Sequence, residues 1–244
     1  YIATNTIIPA LIEDASRIYP TPFADGGSFW SLLRHRGARY IHEAMKRGVH
    51  EECASIESLK IPEAIKRGLD PSAPKLLDRR AGWRAQADAP FALPSEIWRE
   101  TVARLQRYFK VKELIEAGEI NAVDDLITHN LNSSLLLRDL LKESDDPQLI
   151  DAFYRAIRRL KILDPTCGSG IFLVESLKIL EPLYTICIHG MERLSTEGET
   201  LFTESLAELK GSRCQNVRHF IYKSMIEGTL YGVDLMEEAL EIAK

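Results

Sequence analysis

The sequence predicts an α/β fold in which a mostly helical N-terminal region precedes the beginning of a parallel sheet. Residues 161–173, KILDPTCGSGIFL, combine a short apolar strand, an acid, a glycine turn and the start of a helix. Residues 229–235, TLYGVDL, form a second apolar run that ends in an acid. We therefore expect a helical region over 1–120 and a sheet-forming domain over 121–244, with a helical insertion at about 185–228.

Helices are predicted where apolar residues recur at helical spacing and where turn residues interrupt them. Asp146 and Pro147 have the cap-then-proline order that is typical of a helix start. The predicted helical segments are 7–19, 96–109, 111–117, 132–142, 147–160, 171–193, 201–209, 215–226 and 236–244.

The order strand, glycine turn and helix favours a ligand site. Gly168 and Gly170 permit a turn that no side chain obstructs, and its N–H groups point outward beside a helix N-terminus. A lone G-x-G is also compatible with an ordinary tight turn. Asp234, the acid of the second run, is likewise compatible with a simple helix cap.

Residues 164–173, DPTCGSGIFL, closely resemble the cofactor motif of amino-directed DNA methyltransferases, which methylate adenine N6 or cytosine N4 with S-adenosylmethionine. The resemblance implies a Rossmann-like, S-adenosylmethionine-dependent methyltransferase sheet. Because the chain lacks an initial Met and stops inside a predicted helix, we expect it to be a fragment holding only the beginning of that sheet.

Longer stretches resemble one subgroup of these enzymes. ALPSEIWRETVARLQRY, GEINAVDDLIT and ILEPLY are similar to large single-chain methyltransferases of bacterial restriction–modification and phage-defence systems such as BREX and DISARM. This resemblance implies adenine N6 as the target. It also implies DNA as a partner, held mostly by parts outside this chain, and restriction or defence proteins as further partners.

The resemblance also assigns roles to individual residues. Asp164 would accept a hydrogen bond from the ammonium of the cofactor, and the N–H groups of the loop would bind the carboxylate of the cofactor. Asp234 would accept hydrogen bonds from both ribose hydroxyls. Thr128 matches a Thr-containing loop of the family, although His129 stands where a proline is usual. The implied cofactor-binding residues are Thr128, Asp164, Thr166, Cys167, Gly168, Ser169, Gly170, Phe172, Asp234 and Leu235.

One of these residues leaves an alternative open, and one motif of the family is missing. Phe172 would pack either beside the ligand or only in the core. Cys167 is expected to be a small residue of the turn and not a nucleophile, because amino methylation forms no covalent enzyme intermediate. The Asn/Asp-Pro-Pro-aromatic motif that grips the target base is absent from the 244 residues. We therefore expect part of a cofactor site without methylation by this chain alone. The alternatives are a non-catalytic partner- or DNA-binding module with a vestigial methyltransferase core, or a methyltransferase for RNA or protein.

Composition limits the class of protein. The formal net charge of −5 gives the whole chain no electrostatic footprint for nucleic acid. The basic cluster Arg34, Arg36, Arg39, Lys46 and Arg47 is compatible with phosphate contact or with a solvated face. The four cysteines are scattered, which predicts neither a metal site nor a disulfide framework and fits a reducing cytoplasm. The sequence shows no signal peptide and no apolar run long enough to span a membrane, so we expect a cytoplasmic protein without a membrane segment.

Overall fold

A computed structural model describes residues 2–50, 52–211, 214, 216–236, 238 and 241, and helices dominate it. The α-helices are α1 (Ile2–Ile18), α2 (Ser28–Tyr40), α3 (Glu43–Lys46), α4 (Glu63–Lys66), α5 (Leu76–Arg79), α6 (Trp98–Ala117), α7 (Val123–Thr128), α8 (Ser133–Glu143), α9 (Pro147–Arg159), α10 (Ile171–Thr196), α11 (Thr203–Gly211) and α12 (Val217–Gly228). The strands are β1 (Ile162–Asp164) and β2 (Leu230–Gly232).

The chain forms two compact units. Unit 1 comprises Tyr1–Leu32, Asn121–Ile127 and Ser133–Lys244, and unit 2 comprises Leu33–Ile120 and Thr128–Asn132. The sequence-based division into regions 1–120 and 121–244 stays a prediction. The first 32 residues belong with the C-terminal part of the chain. The whole stretch from β1 to β2, with its intervening helices, lies within unit 1.

Helix α9 is the centre of the unit 1 core, because α1 and α10 both pack against it. Its residues Phe153 and Ile157 are buried, as are Leu11 of α1 and Leu183 of α10. The helix starts where the sequence predicts: Pro147 is its first residue, and Asp146 accepts a hydrogen bond from the N–H of Gln148 at 2.9 Å. This prediction is confirmed.

The prediction of a Rossmann-like sheet is wrong. The structure is 65% helical, and the described residues hold one sheet of two parallel strands, each three residues long. Leu163 and Tyr231 are register partners in this sheet, and they remain 61% and 45% exposed. No second layer therefore covers that face in the described part of the chain. The apolar runs are too short for more sheet, and the amphipathic helices around them pack on one another.

The predicted helices agree better with the structure, with differences at their ends. The two predicted segments 96–109 and 111–117 form the single helix α6, which ends at Gly118 in the left-handed conformation, φ 73°. The chain between the glycine turn and β2 is helical, as expected, in α10, α11 and α12. Most of the predicted helix 236–244 lies outside the described residues.

Unit 2 is built on α6 and a compact apolar cluster. Its buried members are Ile56, Leu59, Ile61, Ile65, Leu69, Trp83, Ala87, Phe91, Trp98, Val102 and Leu105. Arg104 of α6 is largely buried and forms an ion pair with Glu96 at 2.9 Å. Its guanidinium also donates to the carbonyl oxygens of Met45, Arg47 and Phe91. One side chain therefore joins the end of α3 and the segment around Phe91 to the helix.

Candidate functional site

The glycine turn joins β1 to α10. At the end of β1, Asp164 Oδ1 accepts a hydrogen bond from the N–H of Thr166 at 3.1 Å. Gly168 and Gly170 both have positive φ, 50° and 77°, in the region that favours glycine. Helix α10 begins directly after Gly170. A Cβ built on Gly168 meets no atom within 4 Å, so the space beside this residue is open.

Asp234, which follows β2, is hydrogen-bonded to this turn. Its Oδ2 accepts from the N–H of Gly168 at 2.8 Å, and its Oδ1 accepts from the N–H of Met236 at 3.0 Å. The backbone hydrogen bonds from Met236 and Gly168 hold the pKa of Asp234 below its ordinary value. Two acids that are 70 residues apart in sequence, Asp164 and Asp234, thus meet at one loop.

The N–H groups of the loop are mostly occupied by acceptors of the protein itself. The N–H of Cys167 donates to the carbonyl oxygen of Val233 at 2.9 Å, and the N–H of Gly170 donates to the carbonyl oxygen of Cys167 at 2.8 Å. Thr166 and Gly168 donate to the two carboxylates described above. In the described part of the chain, the N–H of Ser169 has no protein acceptor. It and the first turn of α10 are the backbone donors left for a ligand.

A cavity of about 640 Å³ opens at the loop, within the size range of small-molecule sites. It is lined by Ile2, Ala3, Thr4, Asp164, Thr166, Cys167, Gly168, Ser169, Ile171, Phe172, Glu175 and Ile179. Six of the ten residues proposed from the sequence therefore line one cavity: Asp164, Thr166, Cys167, Gly168, Ser169 and Phe172.

The cavity lining is acidic. Asp164 and Glu175 contribute carboxylates, and no Lys or Arg belongs to the lining among the described residues. Lys178 pairs with Glu175 at 2.6 Å on the exposed surface of α10. Such a lining attracts a cationic group and repels a phosphate. The helix N-terminus adds the one partial positive charge that suits a carboxylate.

The other four proposed residues have different positions. Gly170 is buried and caps α10, and Asp234 reaches the loop through Gly168 without lining the cavity. Leu235 is fully exposed, at 102% of its reference area. Thr128 is the last residue of α7 and belongs to unit 2. The structure thus brings Asp234 to the loop, while the side chain of Leu235 lies in solvent.

Six lining residues were missed by sequence reasoning. Ile171, Glu175 and Ile179 recur every four residues along α10, and this spacing after the turn could have identified them. Ile2, Ala3 and Thr4 come from the first turn of α1. Nothing in the local sequence of α1 indicates that it lies beside a loop more than 150 residues away.

A larger cavity, of about 710 Å³, lies in unit 1 near the residues that precede β1 and β2. Two of its cationic side chains already have partners within the protein. Arg158 makes two hydrogen bonds to the carboxylate of Glu208, and the ammonium of Lys161 donates to the carbonyl of Gly228. Tyr184 in its wall is buried, and desolvation raises the pKa of its phenol. In the cavity beside the glycine loop, Asp164 forms no ion pair among the described residues, and this cavity is the better candidate.

No family model, curated protein or solved structure matches this chain. The described residues hold no group of three or more His, Cys, Asp or Glu side chains that could bind a metal ion. Within the same residues, every helix is too short or too polar to cross a lipid bilayer.

Proposed function

We propose that the cavity beside the glycine loop binds S-adenosylmethionine, and that the chain is the cofactor-binding part of an amino-directed DNA methyltransferase. The observation that carries the proposal is the meeting of two carboxylates at the loop, with Gly168 donating to Asp234 at 2.8 Å. Open space beside Gly168 leaves room for a ligand to approach the backbone.

Charge favours this cofactor over nucleotides that carry phosphates. S-adenosylmethionine is a sulfonium with an ammonium, a carboxylate and two ribose hydroxyls. Asp164 lines the cavity and would accept from the ammonium, and the N–H groups of Ser169 and the first turn of α10 would bind the carboxylate. A phosphate would instead meet the carboxylate of Asp164, no lining cation among the described residues, and only the N–H groups of Ser169 and the first turn of α10 as free backbone donors.

Asp234 retains the capacity to bind hydroxyl groups. Each of its oxygens accepts one backbone N–H, and an ionised carboxylate has about four acceptor positions. The remaining lone pairs therefore suit the ribose hydroxyls. The lowered pKa means that this carboxylate is ionised at neutral pH and well below it, with all its acceptor positions retained.

Cys167 supports the site by packing and not by chemistry. The residue is buried, and a Cβ on Gly232 of β2 would come within 3.0 Å of its Sγ. A small side chain at this position lets the turn lie against β2. All four cysteines are free thiols, which supports a proposal of a reducing, cytoplasmic location.

The missing Asn/Asp-Pro-Pro-aromatic motif supports a division of labour, in which the chain holds the methyl donor and another segment grips the target base. The proposed context is a restriction or phage-defence system that methylates adenine N6. The same absence favours a second candidate, a non-catalytic module that binds a partner protein or DNA and has a vestigial methyltransferase core. Both candidates predict no transfer to DNA by this chain alone.

Isothermal titration with S-adenosylmethionine tests the proposal. We expect the wild-type chain to bind, and Asp164→Asn and Asp234→Ala each to weaken binding at least about tenfold, because each loses a hydrogen bond to a charged or polar ligand group. Asp14→Asn, on the surface of α1, is the matched control and should bind like wild type. Equal affinities for all four proteins, or no binding by any, would reject the site.

A further inference from the structure

The two compact units carry opposite net charge. Unit 2 contains 17 Lys and Arg against 13 Asp and Glu, a formal net charge of +4. The rest of the chain contains 14 against 23, a formal net charge of −9. The total of −5 conceals this difference. A polyanion is therefore attracted to unit 2 and repelled by unit 1.

A basic groove of about 520 Å³ lies in unit 2 beside α4 and α5. It is lined by Ala64, Arg67, Pro74, Lys75, Asp78, Arg79, Ala81 and Gly82. Three cations, Arg67, Lys75 and Arg79, thus accompany one carboxylate, and all four charged residues are exposed. The small residues between them leave room for a phosphate group to approach.

Two of the three groove cations have uncommitted side chains. In the described part of the chain, Arg67 and Lys75 form no ion pair or side-chain hydrogen bond, whereas the pKa of the nearby Asp70 is lowered by hydrogen bonds and also by the charge of Arg79. The basic cluster noted in the sequence differs, because Arg36 and Arg39 take part in other interactions and Lys46 pairs with Glu43 at 2.8 Å.

The groove is held in a fixed shape by two hydrogen bonds. The indole N–H of Trp83 donates to the carbonyl of Ile65 at 3.2 Å, and Arg80 Nε donates to the carbonyl of Gly68 at 2.9 Å. The guanidinium of Arg80 also stacks 4.3 Å from the centre of the Trp83 ring. These contacts join the 3-10 helix Ala81–Arg84 to α4, so little ordering is needed when a ligand binds.

We propose that the groove of Arg67, Lys75 and Arg79 binds the sugar-phosphate backbone of double-stranded DNA. The proposal rests on the proposed function, since a DNA methyltransferase must hold its substrate. Contacts of this kind position the duplex and do not read its sequence, because phosphates are the same at every step. The groove would supply a part of the DNA contact from within this chain.

Salt-dependent DNA binding tests the groove. Fluorescence anisotropy with a labelled duplex of arbitrary sequence, at about 20 to 200 mM KCl, gives the slope of log affinity against log salt. The triple variant Arg67→Gln, Lys75→Asn, Arg79→Gln should reduce the magnitude of that slope by about 2 to 3, at roughly 0.9 per lost phosphate contact. Asn is used at position 75 because Lys75 has φ 55°, which Asn tolerates well.

The matched control is the triple variant Arg17→Gln, Arg155→Gln, Lys223→Gln, which removes three exposed cations from unit 1. It should keep the wild-type slope. An equal loss in both triples, an unchanged slope in the groove triple, or no DNA binding by wild type at 20 mM KCl would overturn the proposal. Inorganic phosphate binding without a slope change would do the same.

The two proposals fail independently. The groove triple should bind S-adenosylmethionine as wild type does and should keep the wild-type thermal transition, because its residues lie outside the cavity and are exposed. Loss of cofactor binding in the wild-type titration, with the groove slope intact, would reject the cofactor site alone.

Discussion

Unit 1 and unit 2 use ionic side chains for different purposes. In unit 1, Asp164 and Asp234 lie at an open loop and accept hydrogen bonds from backbone N–H groups. In unit 2, Glu96 is largely buried and is matched by Arg104, which also satisfies three carbonyl oxygens. The difference shows which charged groups are free to bind a ligand. The two carboxylates at the loop can still accept hydrogen bonds from a ligand, whereas the buried ion pair of unit 2 stabilises the fold.

The largest expected effect is the loss of the buried pair in unit 2. Arg104→Met should lower the free energy of unfolding by about 3 to 5 kcal/mol, because it leaves Glu96 charged and unpaired in a largely buried position. Urea unfolding monitored by tryptophan fluorescence measures this. Arg107→Met, an exposed arginine of the same helix, should change the free energy by no more than about 0.5 kcal/mol. Equal effects of the two variants would show that the pair is not structural.

A smaller effect is expected where β2 packs against the glycine turn. A Cβ at Gly232 would come within 3.0 Å of Cys167 Sγ and of Leu173 Cδ1. Gly232→Ala should therefore cost about 1 to 3 kcal/mol of unfolding free energy and weaken S-adenosylmethionine binding, because β2 carries Asp234. Differential scanning calorimetry and cofactor titration measure the two effects.

Gly228→Ala provides the control for that substitution. A Cβ at Gly228, at the end of α12, meets no atom within 4 Å. This variant should be at least as stable as wild type, because Ala favours the helix over Gly, and should keep the wild-type cofactor affinity. If it lost as much affinity as Gly232→Ala, the packing of Cys167 on β2 would not be the cause.

The smallest expected effect is the dependence on pH. Hydrogen bonds from Met236 and Gly168 lower the pKa of Asp234, so its contribution to stability is fully present above the ordinary Asp value and is lost as pH falls through the lowered one. We expect the NMR shift of the Gly168 amide to titrate with a midpoint below 3.8, the ordinary value. A midpoint at or above 3.8 would contradict the hydrogen bond.

Glu96 gives the corresponding test in unit 2. Burial raises the pKa of Glu96, but hydrogen bonds from Arg104, from the N–H of Leu93 and from Thr101 outweigh burial and leave the pKa below its ordinary 4.5. Its stabilising contribution is therefore present above 4.5 and lost as pH falls through the lowered pKa. The assignment would be contradicted if the wild type lost unfolding free energy in unit 2 already above pH 4.5 and the variant Glu96→Gln did not.

Local sequence signals predicted the helices and the turn well. The Asp146-Pro147 start of α9 and the Gly118 end of α6 follow from capping chemistry, which depends only on neighbouring residues. The glycine turn followed by α10 also has a local cause, the need of Gly168 and Gly170 for positive φ.

Long-range packing could not be read in the same way. An apolar run of three residues can predict a strand, but it cannot predict how many neighbouring strands pair with it. The larger sheet expected from the family resemblance is not formed by the described residues. The apolar face of α1 fits any helical core, so its place beside the loop was not foreseen. The family resemblance implies a cofactor contact by Leu235, but its side chain is exposed.

Ligand discrimination by the wild-type chain tests the central claim most directly. S-adenosylmethionine and ATP share an adenosine, and they differ in presenting a sulfonium amino acid or a triphosphate to the loop. Parallel calorimetric titrations should show binding of S-adenosylmethionine and at least about tenfold weaker binding of ATP, because the cavity offers carboxylates and few free N–H donors. Binding of ATP as tight as that of S-adenosylmethionine would contradict the account.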